Sequence, residues 1–298
     1  MAEVAKAYRK VFVSFADSRM RRSLDRIRRQ ASDMEVYDSI LVEDESSLYA
    51  EFREKFSSRL RRGTPGYGYW VWKPQIILQA FEGMADGDVV HYSDAGSWLN
   101  PGGRGRLLEY FRMTSDAPGG ILAFQVKNTF GDPYLDGFSL PEYKWTKGDL
   151  FDYFGVRKDP DFFASEQIGA GNIFFRKCRG TETFLREWLG VFEKDFSLVD
   201  DTPSVSQNFE GFVSHRHDQS VFGLLCKLHK VETLSAFEYW YPSNKDASKP
   251  DWDKLADYPV WAKRDKSLGP LDSMADLAKR AASRLGLGMG RPKRRRTE

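Results

Sequence analysis

Short apolar runs alternate with amphipathic stretches through most of the chain. Residues 11–16 and 36–42 have the apolar composition of buried strands, and residues 18–33 between them carry apolar side chains at helical spacing. A strand, a helix and a strand in this order are typical of a βαβ unit, in which the two strands pair in parallel. The pattern therefore predicts that the chain opens as an α/β protein.

The same alternation continues to residue 228, and some segment ends carry recognisable signals. Pro74 suits the first turn of a helix. Thr146 can cap the helix that follows it, and Asp149 stands three residues later, as in a capping box. Strands alternating with helices predict an α/β fold with a mostly parallel central sheet flanked by helices. The further predicted helices are 46–60, 102–113, 146–154, 182–194 with Trp188, and 218–228, and the further strands are 88–94, 121–126 and 173–175.

Three segments interrupt this alternation. Residues 66–72, Gly-Tyr-Gly-Tyr-Trp-Val-Trp, are neither periodic nor polar, and they are either a functional loop or a piece of core. Residues 127–145 and 196–216 are long and rich in Gly, Pro, Asp and aromatic residues. Loops of this length in a compact domain are usually lids or binding loops. No linker or internal repeat divides residues 1–270, so we expect them to form one domain.

The composition is that of a globular protein. The 298 residues are 41% hydrophobic and 14% aromatic, which is incompatible with a disordered chain. No apolar run approaches the roughly 18 residues of a spanning helix, and charges occupy the N-terminus where a secretory signal would be apolar. Only Cys178 and Cys226 are present, without CxxC or HExxH, which sets aside a disulfide framework and a zinc site. A cytoplasmic location fits these features.

Positive charge is concentrated at the C-terminus. Residues 279–298 carry eight lysines and arginines against Glu298, a net charge of +7, so the preceding 278 residues sum to −5 within the total of +2. Residues 271–285 have one apolar helical face, and the basic tail follows them. An amphipathic helix with a basic run suits an anionic membrane surface, which would place the protein at the inner face of the membrane. A solvated tail is the alternative, and an acidic body makes nucleic acid an unlikely partner.

Asp94 is the first candidate for chemistry. It ends the apolar strand 88–94 and is followed by Ala-Gly-Ser, so its carboxylate would emerge at the carboxyl edge of a parallel sheet, where ligands of open α/β sheets bind. A carboxylate there can hold Mg²⁺ or Mn²⁺, which neutralises a diphosphate leaving group. The alternative is an aspartate that caps the next turn.

A second group of polar residues precedes the helix 218–228. His215, Arg216, His217, Asp218 and Gln219 gather at a helix N-terminus, where free amides favour an anion. An N-cap with solvated neighbours is the alternative interpretation.

Two further segments could approach a ligand. Lys73 lies next to Pro74 and either reaches a phosphate or is solvated along Trp72. Residues 169–172, Gly-Ala-Gly-Asn, precede an apolar strand and either admit a ligand to the backbone or form a tight turn. The phosphate loop, the dinucleotide fingerprint and the nucleophile elbow are all missing from the sequence.

In their order along the chain, these sequence motifs resemble those of the nucleotide-sugar glycosyltransferases of the GT-A fold. The similarity is closest to glycogenin-like retaining enzymes and to bacterial polysaccharide-synthesis relatives, and it covers about residues 70–228. It is carried by Lys73 before a helix, Tyr92-Ser93-Asp94-Ala95-Gly96 at a strand end, Ala170-Gly171 before an apolar strand, Trp188 on a helix, and His217-Asp218-Gln219-Ser220.

The resemblance implies roles for the matching residues. Asp94 would be the metal-binding and donor-phosphate aspartate of the DxD motif, Lys73 would contact the donor diphosphate, and Ala170 and Gly171 would line the donor sugar. Asp218 and Gln219 would face the reacting sugar or acceptor. Strand-end residues hold the base and ribose in such enzymes, and here those residues are Ser14, Phe15 and Ala16.

Two departures from the family pattern affect the metal. Gly96 replaces the second acid of the DxD motif, and Gly169 replaces the asparagine of the Asn-Ala-Gly turn. Either His217 or Asp218 supplies the missing ligand, or Mn²⁺ or Mg²⁺ is held weakly. Otherwise no metal is used, and Lys73, Arg216 and a helix N-terminus stabilise the diphosphate. We favour a metal held by Asp94 and His217.

The sequence therefore predicts a metal-assisted glycosyltransferase that acts on a saccharide or lipid-linked acceptor in polysaccharide biosynthesis. Lys147, between a lid-like loop and a helix, is a further candidate for donor or acceptor binding. The alternative is a non-catalytic sugar- or nucleotide-binding protein on a degenerate transferase fold, which Gly96 favours and which turnover would separate from an enzyme.

Overall fold

A computed structural model describes residues 8–266. Within this range six strands form a central sheet in the order β2-β1-β3-β6-β5-β7, and β4–β10 and β8–β9 form two small antiparallel pairs. The strands are β1 Lys10–Phe15, β2 Ser39–Glu43, β3 Val89–Ser93, β4 Trp98–Leu99, β5 Ile121–Gln125, β6 Ile168–Arg176, β7 Glu232–Ser235, β8 Pro242–Ser243, β9 Asp246–Pro250 and β10 Val260–Trp261.

Helices cover both faces of the sheet. The α-helices are α1 Arg21–Asp33, α2 Ala50–Lys55, α3 Gly66–Tyr69, α4 Trp72–Glu82, α5 Arg104–Asp116, α6 Glu142–Trp145, α7 Gly148–Tyr153, α8 Pro160–Phe163, α9 Arg179–Lys194 and α10 Asp218–Leu228. Short 3-10 helices are Ser18–Met20, Pro101–Gly103, Pro133–Gly137, Phe196–Leu198, Ala236–Glu238 and Asp253–Leu255. The predicted α/β class is confirmed.

The core lies in two layers, one on each side of the sheet. On one side α4, α9 and α10 contribute Ile76, Trp188 and Phe222 to a cluster with the inward side chains of β1, β3 and β6. On the other side α1 and α5 contribute Ile27 and Phe111. α1, α4 and α10 bury apolar residues at the helical spacing that the sequence shows.

The sheet is mostly parallel, with one exception. β1 pairs in parallel with β2 and β3, and β5 with β7, whereas β6 is antiparallel to both of its neighbours. The start of β6 therefore lies at the same edge as the ends of β1 and β3. Because β2 and β3 flank β1 on opposite sides, the chain leaves β1 at a topological switch point, beside which ligands of such sheets bind.

Several predicted elements need correction. The helix expected over 46–60 is only α2, and the strand expected over 36–42 begins at Ser39. Residues 169–172 are not a tight turn, because they belong to β6, whose ladder to β5 and β3 extends through them. The loop 127–145 contains a 3-10 helix and α6.

The capping box predicted at Thr146 and Asp149 is also wrong. The Thr146 hydroxyl donates to Glu142 Oε2 at 2.7 Å, and Lys147 is the residue before α7. The Asp149 carboxylate accepts instead from the backbone amides of Val205 and Ser206 at 2.9 and 2.6 Å. Both side chains are thus used for tertiary contacts. The predicted helix and basic tail of residues 271–298 lie outside the described residues.

Candidate functional site

The candidate site lies where β3 ends. Asp94 follows β3 directly, Lys73 is in the first turn of α4, and Asp218 is the first residue of α10. The register that sets Ser93 opposite Asn172 brings Asp94 beside Gly171, whose carbonyl accepts from the Asp94 amide at 2.9 Å. Residues far apart in sequence therefore meet at the carboxyl edge of the sheet, where Asp94 was predicted to emerge.

Lys73 connects the two aspartates. Its Nζ lies 2.7 Å from Asp218 Oδ2 and 3.4 Å from Asp94 Oδ1, and it donates to the Ala170 carbonyl at 2.9 Å. The side chains of Lys73 and Asp218 are 3% and 7% exposed. Lys73 was predicted to contact a donor diphosphate, but here its ammonium group faces protein oxygens and holds the two carboxylates in place.

The groups of this cluster shift one another's pKa values: burial raises the pKa of Asp218 against the effect of the Lys73 ammonium. Burial alone would lower the pKa of Lys73, but the adjacent carboxylates of Asp218 and Asp94 outweigh it and raise that pKa. Lys73 therefore remains an ammonium ion. Burial and the charge of Asp94 raise the pKa of Tyr92 well above its usual value, so its hydroxyl stays a donor.

Asp94 is held on one side and open on the other. Its Oδ1 accepts from the Tyr92 hydroxyl at 2.5 Å, whereas Oδ2 has no hydrogen-bond partner within residues 8–266. Its side chain is 40% exposed. A Cβ at Gly171 would stand 2.8 Å from Oδ2, so only glycine leaves room for this carboxylate. Tyr92 is part of the sequence motif at the end of this strand, but the sequence did not predict its contact with Asp94.

The glycine-rich aromatic segment 66–72 orients the start of α4. The short element α3 is a left-handed turn, because all four of its residues and the following Trp70 have positive φ, and three of these five residues are not glycine. Such a left-handed run is costly for residues with a side chain. The Trp70 indole covers Gly66, where a Cβ would approach the ring to 2.2 Å, and the Trp70 carbonyl accepts from the Lys73 amide at 2.9 Å. The segment is thus both core and the support of Lys73.

His217, predicted as a metal ligand, is turned toward a neighbouring loop. Its Nδ1 donates to the Val199 carbonyl at 2.8 Å, and its Nε2 lies 3.7 Å from Asp201 Oδ1. Its ring packs between Tyr69 and Trp70 at centroid distances of 4.9 and 5.8 Å. The loop 196–216, predicted as a lid, is thereby fastened beside the site.

Lys147, predicted to bind donor or acceptor, is also engaged with this loop. Its ammonium group donates to the carbonyls of Ser197, Asp200 and Thr202, the last two at 3.0 Å. The side chain is buried, and burial lowers its pKa even with Asp200 nearby. The structure therefore does not bring Lys147 together with Asp94, Lys73 and Asp218.

The end of β1 adjoins the site but is buried. Ser14 and Phe15 lie in the core, Phe15 stacks on Trp72 at 4.2 Å, and Ala16 is 6% exposed. The Ser14 hydroxyl has no hydrogen-bond partner in the described part of the chain. Their predicted contact with a base and ribose remains a prediction.

The position of the missing second acid is covered. The Asp265 amide donates to the Gly96 carbonyl at 2.9 Å, and a Cβ at Gly96 would stand 3.4 Å from Arg264 Cα. Arg264 itself has a positive φ of 54°. The segment 262–266 thus lies where the second carboxylate of a DxD motif would begin.

A divalent cation fits this site only in a limited way. In residues 8–266 no three His, Cys, Asp or Glu side chains converge as a cation site. Asp218 is buried against Lys73 and His217 faces Asp201, which leaves Asp94 as the exposed carboxylate among the predicted ligands. Mg²⁺ commonly takes one or two carboxylates and completes its shell with substrate phosphates and water. Asp94 fits as that single carboxylate, and residues 8–266 offer no complete cage.

No protein-family model matches the sequence, and no curated protein matches it significantly. The structure is similar to a glycosyltransferase involved in the glycosylation of the major capsid of PBCV-1, with 11% identity over 90% of this chain and 98% of that chain and a TM-score of 0.41. Mouse xyloside xylosyltransferase 1 is 10% identical over 78% of this chain and 86% of its own, with a TM-score of 0.39.

The WbbM bifunctional glycosyltransferase is 15% identical over 94% of this chain and 45% of its own, again with a TM-score of 0.39. All three proteins are described as glycosyltransferases or, in one case, a xylosyltransferase. Within residues 8–266, no helix has the length and apolar character needed to cross a bilayer.

Proposed function

We propose that the protein is a glycosyltransferase that moves a sugar from a nucleotide-sugar donor to a saccharide or glycolipid acceptor. The observation that supports this most is the half-exposed Asp94 carboxylate above the buried pair of Lys73 and Asp218, at the switch point of an open α/β sheet. The order of the sequence motifs around these residues, which resembles that of glycosyltransferases, supports this class of reaction.

The site residues are suited to this chemistry because they are positioned in advance. Sugar transfer develops positive charge at the anomeric carbon and negative charge on the departing diphosphate. Tyr92 and Lys73 fix one oxygen of Asp94, and Lys73 also fixes Asp218, so the carboxylates need little reorganisation when the substrate arrives. The loop 196–216 is held in place next to these carboxylates, and it limits the access of water to them.

The proposed divalent cation, Mn²⁺ or Mg²⁺, would be held through Asp94 Oδ2 and would neutralise the diphosphate of the donor. The acceptor class, a role in polysaccharide biosynthesis and a peripheral position on an anionic membrane follow from the resemblance and from the basic tail. They are parts of the same proposal.

Turnover tests the proposal against the non-catalytic alternative. Wild type, Asp94→Asn and the control Asp86→Asn would each be incubated with UDP-, GDP- and CDP-sugars, a saccharide acceptor mixture and Mn²⁺, and the release of nucleoside diphosphate would be measured. Asp86 is exposed and lies outside the site. We expect release by wild type and Asp86→Asn from one nucleotide class, with a loss of at least a hundredfold in Asp94→Asn. Equal release by wild type and Asp94→Asn would contradict the proposal.

A further inference from the structure

One face of α10 is directed at a buried polar network. Gln219, Gly223 and Lys227 are four residues apart, so they share that face. Lys227 Nζ lies 2.6 Å from Glu142 Oε1, and a Cβ at Gly223 would stand 2.6 Å from the same oxygen. Gln219 Nε2 lies 2.9 Å from Gln167 Oε1. The helix that carries Asp218 is thus tied along its length to Glu142 and Gln167.

The carboxylate of Glu142 determines which atoms of this network donate hydrogen bonds and which accept them. Glu142 is fully buried and receives Lys227 on one oxygen, and the Thr146 hydroxyl at 2.7 Å and Gln167 Nε2 at 3.2 Å on the other. The oxygens of a carboxylate only accept hydrogen bonds. The amide nitrogen of Gln167 must therefore face Glu142.

The orientation of the Gln167 amide in turn fixes that of the Gln219 amide. Because the nitrogen of Gln167 is directed at Glu142, its Oε1 is the atom that meets Gln219, and this oxygen can only accept. Gln219 must therefore present its Nε2 to Gln167. Its own Oε1 is left with no partner among residues 8–266, on a side chain that is partly exposed.

Gln219 stands at the candidate site. It follows Asp218 in the first turn of α10, and Gln167 immediately precedes β6, whose start lies at the sheet edge of Asp94. We propose that Glu142 and Gln167 are positioning residues that fix the side-chain amide of Gln219, so that Gln219 presents a carbonyl oxygen to a hydroxyl of the bound sugar. This inference deepens the proposed function and rests on it for the identity of the ligand.

Gln167→Leu removes the connection without touching the aspartates. A matched control is Gln75→Leu, because Gln75 donates to Gln79 Oε1 at 3.1 Å in a similar glutamine pair on α4. The affinities of UDP-glucose, UDP-N-acetylglucosamine and GDP-mannose would be compared with those of UDP and GDP. We expect Gln167→Leu to weaken a bound sugar nucleotide about fivefold, the value of one hydrogen bond, with its free nucleotide unaffected. An unchanged sugar-nucleotide affinity would overturn the inference.

A second readout does not depend on any substrate. The side-chain amide signal of Gln219, assigned by its loss in Gln219→Glu, reports whether Nε2 is hydrogen-bonded. Its hydrogen exchange should be at least fivefold faster in Gln167→Leu than in wild type and unchanged in Gln75→Leu. Equal exchange in wild type and Gln167→Leu would overturn the positioning role. Failure of every nucleotide to bind wild type, with this difference in exchange present, would reject the proposed function and keep the positioning role.

Discussion

Lys73 is the residue on which the site depends most. Its ammonium group is buried between Asp218 and Asp94, and its pKa is raised by them against the effect of burial. The proximity of a lysine and two carboxylates could not be derived from their spacing, which is 21 residues for one pair and 145 for the other. It required the tertiary fold, which brings the start of α4, the end of β3 and the start of α10 together.

Replacing Lys73 should reveal this dependence as a loss of stability. In Lys73→Met, Asp218 would be buried without its counter-charge, and breaking a buried pair costs about 3–5 kcal/mol. The free energy of unfolding in urea measures the loss. Adding Asp218→Asn to Lys73→Met removes the uncompensated charge and should recover part of it. A double variant no more stable than Lys73→Met would contradict the buried ion pair.

Among the elements, α10 ends in a backbone motif that has a known residue preference. The Val231 amide donates to the Cys226 carbonyl at 2.8 Å and the Lys230 amide to the Lys227 carbonyl at 3.2 Å, with φ of 51° at Lys230. These bonds form a Schellman motif, whose left-handed residue is normally glycine. Lys230 is exposed and loses little packing if it is replaced.

Lys230→Gly should therefore stabilise the protein by about 1 kcal/mol, because glycine adopts this conformation without steric cost. Thermal unfolding measures the gain. The control Gly87→Ala introduces a side chain at a φ of 97° in open space and should destabilise the protein by a similar amount. A lower melting temperature for Lys230→Gly than for wild type would contradict the assigned motif.

The elements also show what the sequence could specify. Helix 218–228 was predicted with the bounds that α10 has, because its apolar face and polar start are both strong local signals. For residues 169–172 the sequence left a tight turn open as an alternative because glycine signals a bend locally, whereas here the glycines give room to Asp94 and the Tyr239 hydroxyl. The antiparallel direction of β6 has no local signal at all.

At the scale of the whole molecule, the buried His91 and the partly buried His215 make stability depend on pH. His91 stacks on Phe174 and contacts Tyr37 and Asn172, and burial lowers its pKa to about 3. Burial, with the charges of Lys147 and His217, lowers the pKa of His215 well below its usual value. Both histidines are neutral in the native state, whereas the unfolded chain protonates them near pH 6.5.

The unfolded state therefore binds more protons between pH 6.5 and the native pKa values, so stability is complete above pH 6.5 and is lost as the pH falls. Each histidine should contribute a slope of up to about 1.4 kcal/mol per pH unit in this window. Urea denaturation from pH 7 to pH 4 measures it, and His91→Gln should make the slope shallower. An identical slope in wild type and His91→Gln would contradict the neutral burial of His91.

The central claim is that the edge of the sheet at Asp94 binds a nucleotide sugar. The most direct measurement is the shift in melting temperature with UDP, GDP, CDP and their common sugars, with and without Mn²⁺, for wild type and Asp94→Ala. A ligand that binds only the native state raises its stability. We expect one nucleotide class to raise the melting temperature of wild type in the presence of Mn²⁺, and the shift to be lost in Asp94→Ala. No shift with any nucleotide, or an equal shift in Asp94→Ala, would contradict the account.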